Sequence, residues 1–115
     1  MPLKNDGGSI KGLQGLLDRL MSEEEWQLEV MSYATAHSWM VAHFRPARVG
    51  ERWITAMQGH PGLPDLVFGR NGIVVLAELK RWGKKPTEAQ QGWLDAVGGY
   101  CWTPEHRQEM QRVLE

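Results

Sequence analysis

The sequence predicts an α/β domain built around a small mixed sheet, and three observations point to it. Two apolar runs, Leu66-Val67-Phe68 and Ile73 to Leu79, flank the turn Arg70-Asn71-Gly72, which is the signal of an antiparallel hairpin. A helix start at Thr87 separates that hairpin from a further short apolar run at Tyr100. Another helix start, at Ser22, precedes all the strands. Strands interleaved with helices in this way make an α/β arrangement.

With 115 residues, the chain is long enough for one core and too short for two. Its 42% hydrophobic and 23% charged content are ordinary for a soluble globular protein. No apolar run approaches the roughly 20 residues of a membrane span, and no signal-peptide pattern is present. A lone cysteine, Cys101, excludes an internal disulfide and a cysteine metal cluster, so a reducing cytoplasm is expected. Six tryptophans are many for this length, and their simplest use is to fill the core.

The net charge of −1 hides a strong division along the chain. Residues 1–42 carry three basic and six acidic side chains, and residues 86–115 carry two and five. Residues 43–85, between them, carry eight basic and three acidic side chains, a local +5 that a polyanion would feel.

Met1 to Gly8 lacks periodicity and reads as a loose arm. Ser9 then caps a short helix with Ile10, Leu13, Leu16, Leu17 and Leu20 on one face. That stripe must dock, on its own domain in the simpler reading or on a partner subunit. Residues 1–21 are thus an arm and helix with a possible dimer contact, and residues 22–115 are the main domain. Ser22 with Glu23, Glu24 and Glu25 starts a helix running to about His37, with Trp26, Val30, Tyr33 and Ala34 inward. Glu23 and Gln27 share a face of it, and periodicity alone reads Glu23 as a solvated capping acid.

Trp39 to Phe44 reads as the first strand. Residues 45–62 read as a long loop carrying Arg45, Arg48, Arg52 and Trp53, and loops of that length tend to be functional. In the hairpin that follows, Ile73 to Ala77 is almost continuously apolar, as in a strand buried on both faces. Arg81-Trp82-Gly83-Lys84-Lys85 forms a basic turn suited to phosphate contact. Thr87 caps a helix with Gln90, Trp93, Leu94 and Val97 at helical spacing, ended by Gly98-Gly99. Tyr100 to Thr103 is a short strand, and Pro104 opens a last helix with Met110, Val113 and Leu114 as its apolar positions.

Pairing of the hairpin sets Asp65, at the start of one strand, beside Glu78 and Lys80 at the end of the next. Two carboxylates and an ammonium at the edge of an apolar sheet are costly unless a cation and a substrate use them. Mg²⁺ takes oxygen ligands, commonly one or two carboxylates with waters and phosphate oxygens, and Asp65, Glu78 and the Leu79 backbone carbonyl can supply them. Lys80 can then orient or help deprotonate an attacking water, or neutralise developing charge. The chemistry is metal-assisted phosphodiester hydrolysis. Zinc fits poorly, since His37, His43, His60 and His106 lack ligand spacing.

Pro64-Asp65 with Glu78-Leu79-Lys80 resembles the signature of the PD-(D/E)XK nuclease superfamily. The flanking residues are similar more narrowly to the VRR-NUC family (virus-type replication-repair nucleases), in its small stand-alone phage and bacterial form. Gly62-Leu63-Pro64-Asp65-Leu66 looks like its Gly-x-Pro-Asp-Leu element. Thr87, Gln90 and Trp93 look like its Ser/Thr-x-x-Gln-x-x-Trp helix, and Ser22-Glu23 with Gln27 and Val30 like its first helix. The likeness spans roughly residues 22–104, and Ser38 stands where the pattern usually has glycine.

This resemblance implies a restriction-endonuclease-like core, a small mixed sheet flanked by helices, and Mg²⁺- or Mn²⁺-dependent cleavage of DNA. Asp65 and Glu78 would hold the metal and Lys80 would be the catalytic lysine. Glu23 would support the metal from the first helix, and Gln90 would point at the site from the helix after the sheet. Branched DNA such as Holliday junctions is the implied substrate, and a homodimer the implied assembly. Phosphates would be held by Arg45, Arg48, Arg52, Arg81, Lys84 and Lys85 without regard to base sequence. The alternative is a non-catalytic DNA-binding replication or repair accessory protein with the same fold, and a third reading is a nuclease of RNA or of linear ends.

Overall fold

The computed structural model describes residues 6–44, 47–54 and 58–115. In chain order its elements are helices α1 (Asp6–Leu20) and α2 (Glu23–Ala36), then strands β1 (Met40–His43), β2 (Ala47–Val49), β3 (Arg52–Ile54), β4 (Leu66–Arg70) and β5 (Ile73–Leu79). Helix α3 (Glu88–Val97), strand β6 (Tyr100–Trp102), a 3-10 turn (Pro104–His106) and helix α4 (Arg107–Leu114) complete it. Four strands form one mixed sheet in the order β1-β4-β5-β6, flanked by helices. The β1–β4 and β4–β5 pairs are antiparallel and β5–β6 is parallel. No helix among the described residues is long and apolar enough to cross a membrane.

Local signals account for the main boundaries. Ser22 Oγ accepts from Glu25 N–H while the Glu25 carboxylate accepts from Ser22 N–H, a reciprocal box that starts α2. Thr87 and Gln90 make the same box at α3, and Gly98 ends that helix in the left-handed region. Asn71 and Gly72, with φ of 51° and 79°, close the β4–β5 hairpin in the geometry whose twist matches that of the strands.

Alternation along β4 and β5 turns Leu66, Phe68, Val75, Ala77 and Leu79 toward Trp26, Val30 and Ala34 of α2 and Met110 and Leu114 of α4, and all are buried. Three of the six tryptophans lie in this core, each with its indole N–H donating: Trp26 to Trp102 O, Trp39 to Leu114 O, and Trp102 to Glu109 Oε1. Truncating any of them to alanine costs about 3–5 kcal/mol.

Five expectations need correction. The N-terminal helix starts at Asp6 rather than Ser9, so part of the expected arm is helical; Met1 to Asn5 lie outside the described residues. Its leucines do not dock on their own domain, since Leu13, Leu16, Leu17 and Leu20 are all exposed. Helix α1 is instead held by its polar side, where Asp18 is buried and accepts from both terminal nitrogens of Arg107 at 2.8 and 2.9 Å. A charge-assisted bidentate bond outcompeted the apolar stripe for the interior.

The long loop contains the β2–β3 hairpin, which forms a two-stranded sheet of its own among the described residues. Strand β5 is not buried throughout: Ile73 and Val74 are exposed, and only its second half lies deep in the sheet. The last helix begins as a 3-10 turn over Pro104–His106, with the Thr103 side chain accepting from Glu105 N–H.

Candidate metal and phosphate site

Leu66 of β4 pairs with Ala77 of β5, so the next position outward sets Asp65 opposite Glu78. Lys80 follows two residues later on the Glu78 face, and its Nζ stands 3.9 Å from Glu78 Oε2. Leu79 points its side chain into the core, leaving its backbone between the two charged residues. The chain ends here are pinned: Lys80 N–H donates to Trp102 O at 3.0 Å, and Phe44 N–H donates to Asp65 O at 2.7 Å. The predicted juxtaposition of Asp65, Glu78 and Lys80 is thus present.

The electrostatics of the pair are unfavourable without a further cation. Burial pushes the Glu78 carboxyl up to about 7, and the nearby Asp65 charge adds to the rise against the pull of Lys80. Burial also raises the Asp65 carboxyl, with His43 acting in the opposite direction. Asp65 Oδ1 is buried and has no hydrogen-bond partner among the described residues. An orphaned carboxylate oxygen beside a second desolvated carboxylate is what a hard cation needs. Among the described residues no group of three or more His, Cys, Asp and Glu side chains forms a full cage. Two carboxylates suffice for Mg²⁺, whose other positions go to water and phosphate oxygens. By the orphaned oxygen and the donor chemistry, the residues fit such an ion.

Helix α2 and strand β1 bring three more groups. Glu23 is exposed at the start of α2, and its carboxyl is raised first by burial and then by the charge of Asp65, though among the described residues it does not complete a group of three with the pair. Gln27 Nε2 stands 3.1 Å from His43 Nδ1, and His43 Nε2 stands 3.2 Å from Asp65 Oδ2. Sequence reasoning left His43 without a role and gave Gln27 only a face shared with Glu23 and a place in the pattern. One signal existed: Gln27 follows Glu23 by one helical turn and so faces the same way. The contact between His43 and Asp65 had none, because it depends on how β1 pairs with β4.

Gln90 has a local role: its side-chain oxygen accepts from Thr87 N–H at 2.9 Å in the helix cap. The residues around it have another use. Gly62, at φ 96°, lies so close to α3 that a Cβ there would stand 2.5 Å from Ala89 C and 2.7 Å from Gln90 N. Trp93 Nε1–H donates to His60 O at 3.1 Å. Helix α3 therefore clamps the segment that delivers Asp65, which explains Gly62 and Trp93 in physical terms.

Beyond Lys80 the basic turn is exposed, with Arg81, Lys84 and Lys85 facing solvent. Lys84 and Lys85 line a groove of about 420 Å³ with Gln91, Cys101, Glu105 and His106. Arg52 is exposed on β3. Arg45 and the side chain of Arg48 lie outside the described residues. Cys101 is paired in register with Glu78, and burial, with that charge, raises its thiol.

Comparison with known protein families, curated proteins and solved structures found no match to this chain.

Proposed function

We propose that this chain is a Mg²⁺- or Mn²⁺-dependent DNA endonuclease of the PD-(D/E)XK kind, similar to stand-alone VRR-NUC nucleases and acting on branched DNA such as Holliday junctions. The observation that carries the proposal is the unpartnered, buried Asp65 Oδ1 opposite a Glu78 carboxyl raised to about 7, with Lys80 alongside. Asp65, Glu78 and the Leu79 carbonyl would hold the ion, with Glu23 supporting from α2. When bound, the ion supplies Lewis-acid polarisation of a phosphoryl oxygen and a water of lowered pKa. Lys80 places positive charge where the phosphorane charge develops, and orients the incoming water by hydrogen bonding. Arg81, Lys84 and Lys85 hold flanking phosphates, with Arg52 and the loop arginines Arg45 and Arg48 as further contacts.

Two symmetric strands of a junction call for two sites, hence a homodimer. The exposed Leu13, Leu16, Leu17 and Leu20 stripe of α1 is the surface we assign to the contact. Replacing Leu13, Leu17 and Leu20 with Gln lowers the mass seen in light scattering from dimer to monomer, and an unchanged mass removes α1 from the interface.

The deciding assay presents junction, flap, linear duplex and single-stranded substrates with Mg²⁺, Mn²⁺ or chelator. Metal-dependent nicking of the junction is expected, with Lys80→Ala reducing it at least about 10²–10³-fold while binding persists. Binding with no cleavage under any metal overturns the proposal and leaves a DNA-binding accessory protein.

A further inference from the structure

We propose that His43, fixed by Gln27, is a positioning residue that presents Asp65 to the cation. The inference rests on reading the site as a metal centre. Three separate elements meet in one directional chain: Gln27 from α2, His43 from β1 and Asp65 from the approach to β4. An amide nitrogen only donates, so His43 Nδ1 accepts from Gln27 and the ring hydrogen sits on Nε2. That hydrogen points at Asp65 Oδ2. Gln27 is itself braced, with Nε2 also 3.7 Å from Met31 Sδ.

The consequence lies in the two carboxylate oxygens. With Oδ2 held by His43 and the Asp65 carbonyl tied to Phe44 N–H, the carboxylate cannot turn to satisfy Oδ1, which stays buried and unpartnered. Here one is anchored and the other is kept open, which pre-orients a ligand before any ion arrives. Groups that orient a metal ligand in this manner are worth about 10–100-fold in metal affinity.

The test is Mn²⁺ binding alone, by titration calorimetry without DNA, alongside thermal unfolding in chelator. His43→Ala is expected to weaken Mn²⁺ about 10–100-fold. His43→Gln, which keeps a donor able to reach Oδ2, recovers most of the affinity, and Gln27→Ala gives a smaller loss. The double variant Gln27→Ala with His43→Ala is no weaker than His43→Ala alone, because both act through one chain. Should His43→Ala fail to fold, the Gln27→Ala and His43→Gln affinities decide. Wild-type affinity in the alanine variants overturns the inference and leaves the metal centre intact. A wild-type protein that binds neither Mn²⁺ nor Mg²⁺ overturns the metal-centre reading itself.

Discussion

Two clusters in this molecule have the same formal content, two carboxylates and one cation, and opposite electrostatic states. In the first, Arg107 donates to both oxygens of Asp18 and both of Glu29 and lies 5.4 Å from the Trp26 ring centroid. Its acceptors are satisfied, the Asp18 carboxyl is held below the usual carboxylate range chiefly by the Arg107 hydrogen bonds, and the guanidinium is raised. In the second, Lys80 is 3.9 Å from Glu78, Asp65 Oδ1 has no partner, and both carboxyls are raised. Arginine's fork matches two carboxylates at once, whereas a lysine is a single point charge. The first cluster is complete and joins α1 and α2 to α4. The second is incomplete, and a cation is what would complete it.

Removing charge should therefore act with opposite sign in the two places. The largest effect is on chemistry: Asp65→Asn with Glu78→Gln should abolish cleavage, at least about 10³-fold, yet raise the melting temperature of the chelator-treated protein, because a desolvated like-charge pair is gone. A fall in that temperature would make the pair structural and break the contrast. Arg107→Ala should destabilise by about 3 kcal/mol, since it strands two carboxylates, one of them buried. Urea unfolding measures this, and Mn²⁺ should not restore the loss.

Next comes pH. Glu78 has a folded pKa near 7 against 4.5 unfolded, so between those values the folded state binds more protons and stability falls as pH rises. In chelator the protein should lose up to about 3 kcal/mol between pH 5 and pH 8, and Glu78→Gln should flatten the curve. The Asp18 cluster works in the other direction: its lowered carboxyl contributes above the unfolded value of 3.8, and that contribution is lost on acidification. Stability measured across pH in chelator and in Mg²⁺ separates the two, because only the high-pH loss should be reversed by metal.

The smallest prediction concerns neither cluster and serves as their control. Ser38 adopts φ 68°, a left-handed conformation that costs a non-glycine residue about 1–2 kcal/mol. Ser38→Gly should raise the melting temperature by about 4 °C without changing metal affinity or the pH slope. A change in either would mean that this turn is coupled to the site.

Much of the fold was legible because it is written in short-range signals. The Ser22 and Thr87 boxes, the Asn71-Gly72 turn and the alternation of Leu66, Phe68, Val75 and Leu79 each act over a few residues. The turn after α2 is equally local, since Ser38 takes a positive φ there. Less legible were the orientation of α1 and the use of Gln90. Helical periodicity finds a stripe but does not say whether a buried ion pair on the opposite side will outweigh it. A Gln at the third helical position can cap or reach outward, and here the cap accepts it.

By itself the sequence determined that Asp65, Glu78 and Lys80 would share one end of a hairpin, because turn chemistry and a two-residue side-chain period set the register. Only the tertiary structure decided what that end contains besides them. His43 and Gln27 arrive from β1 and α2 through long-range pairing, and they engage Oδ2 while Oδ1 remains open. The degree of burial that lifts Glu78 to about 7 is likewise a property of the packed sheet. Local sequence chooses which charges meet, and packing around them sets whether they are satisfied.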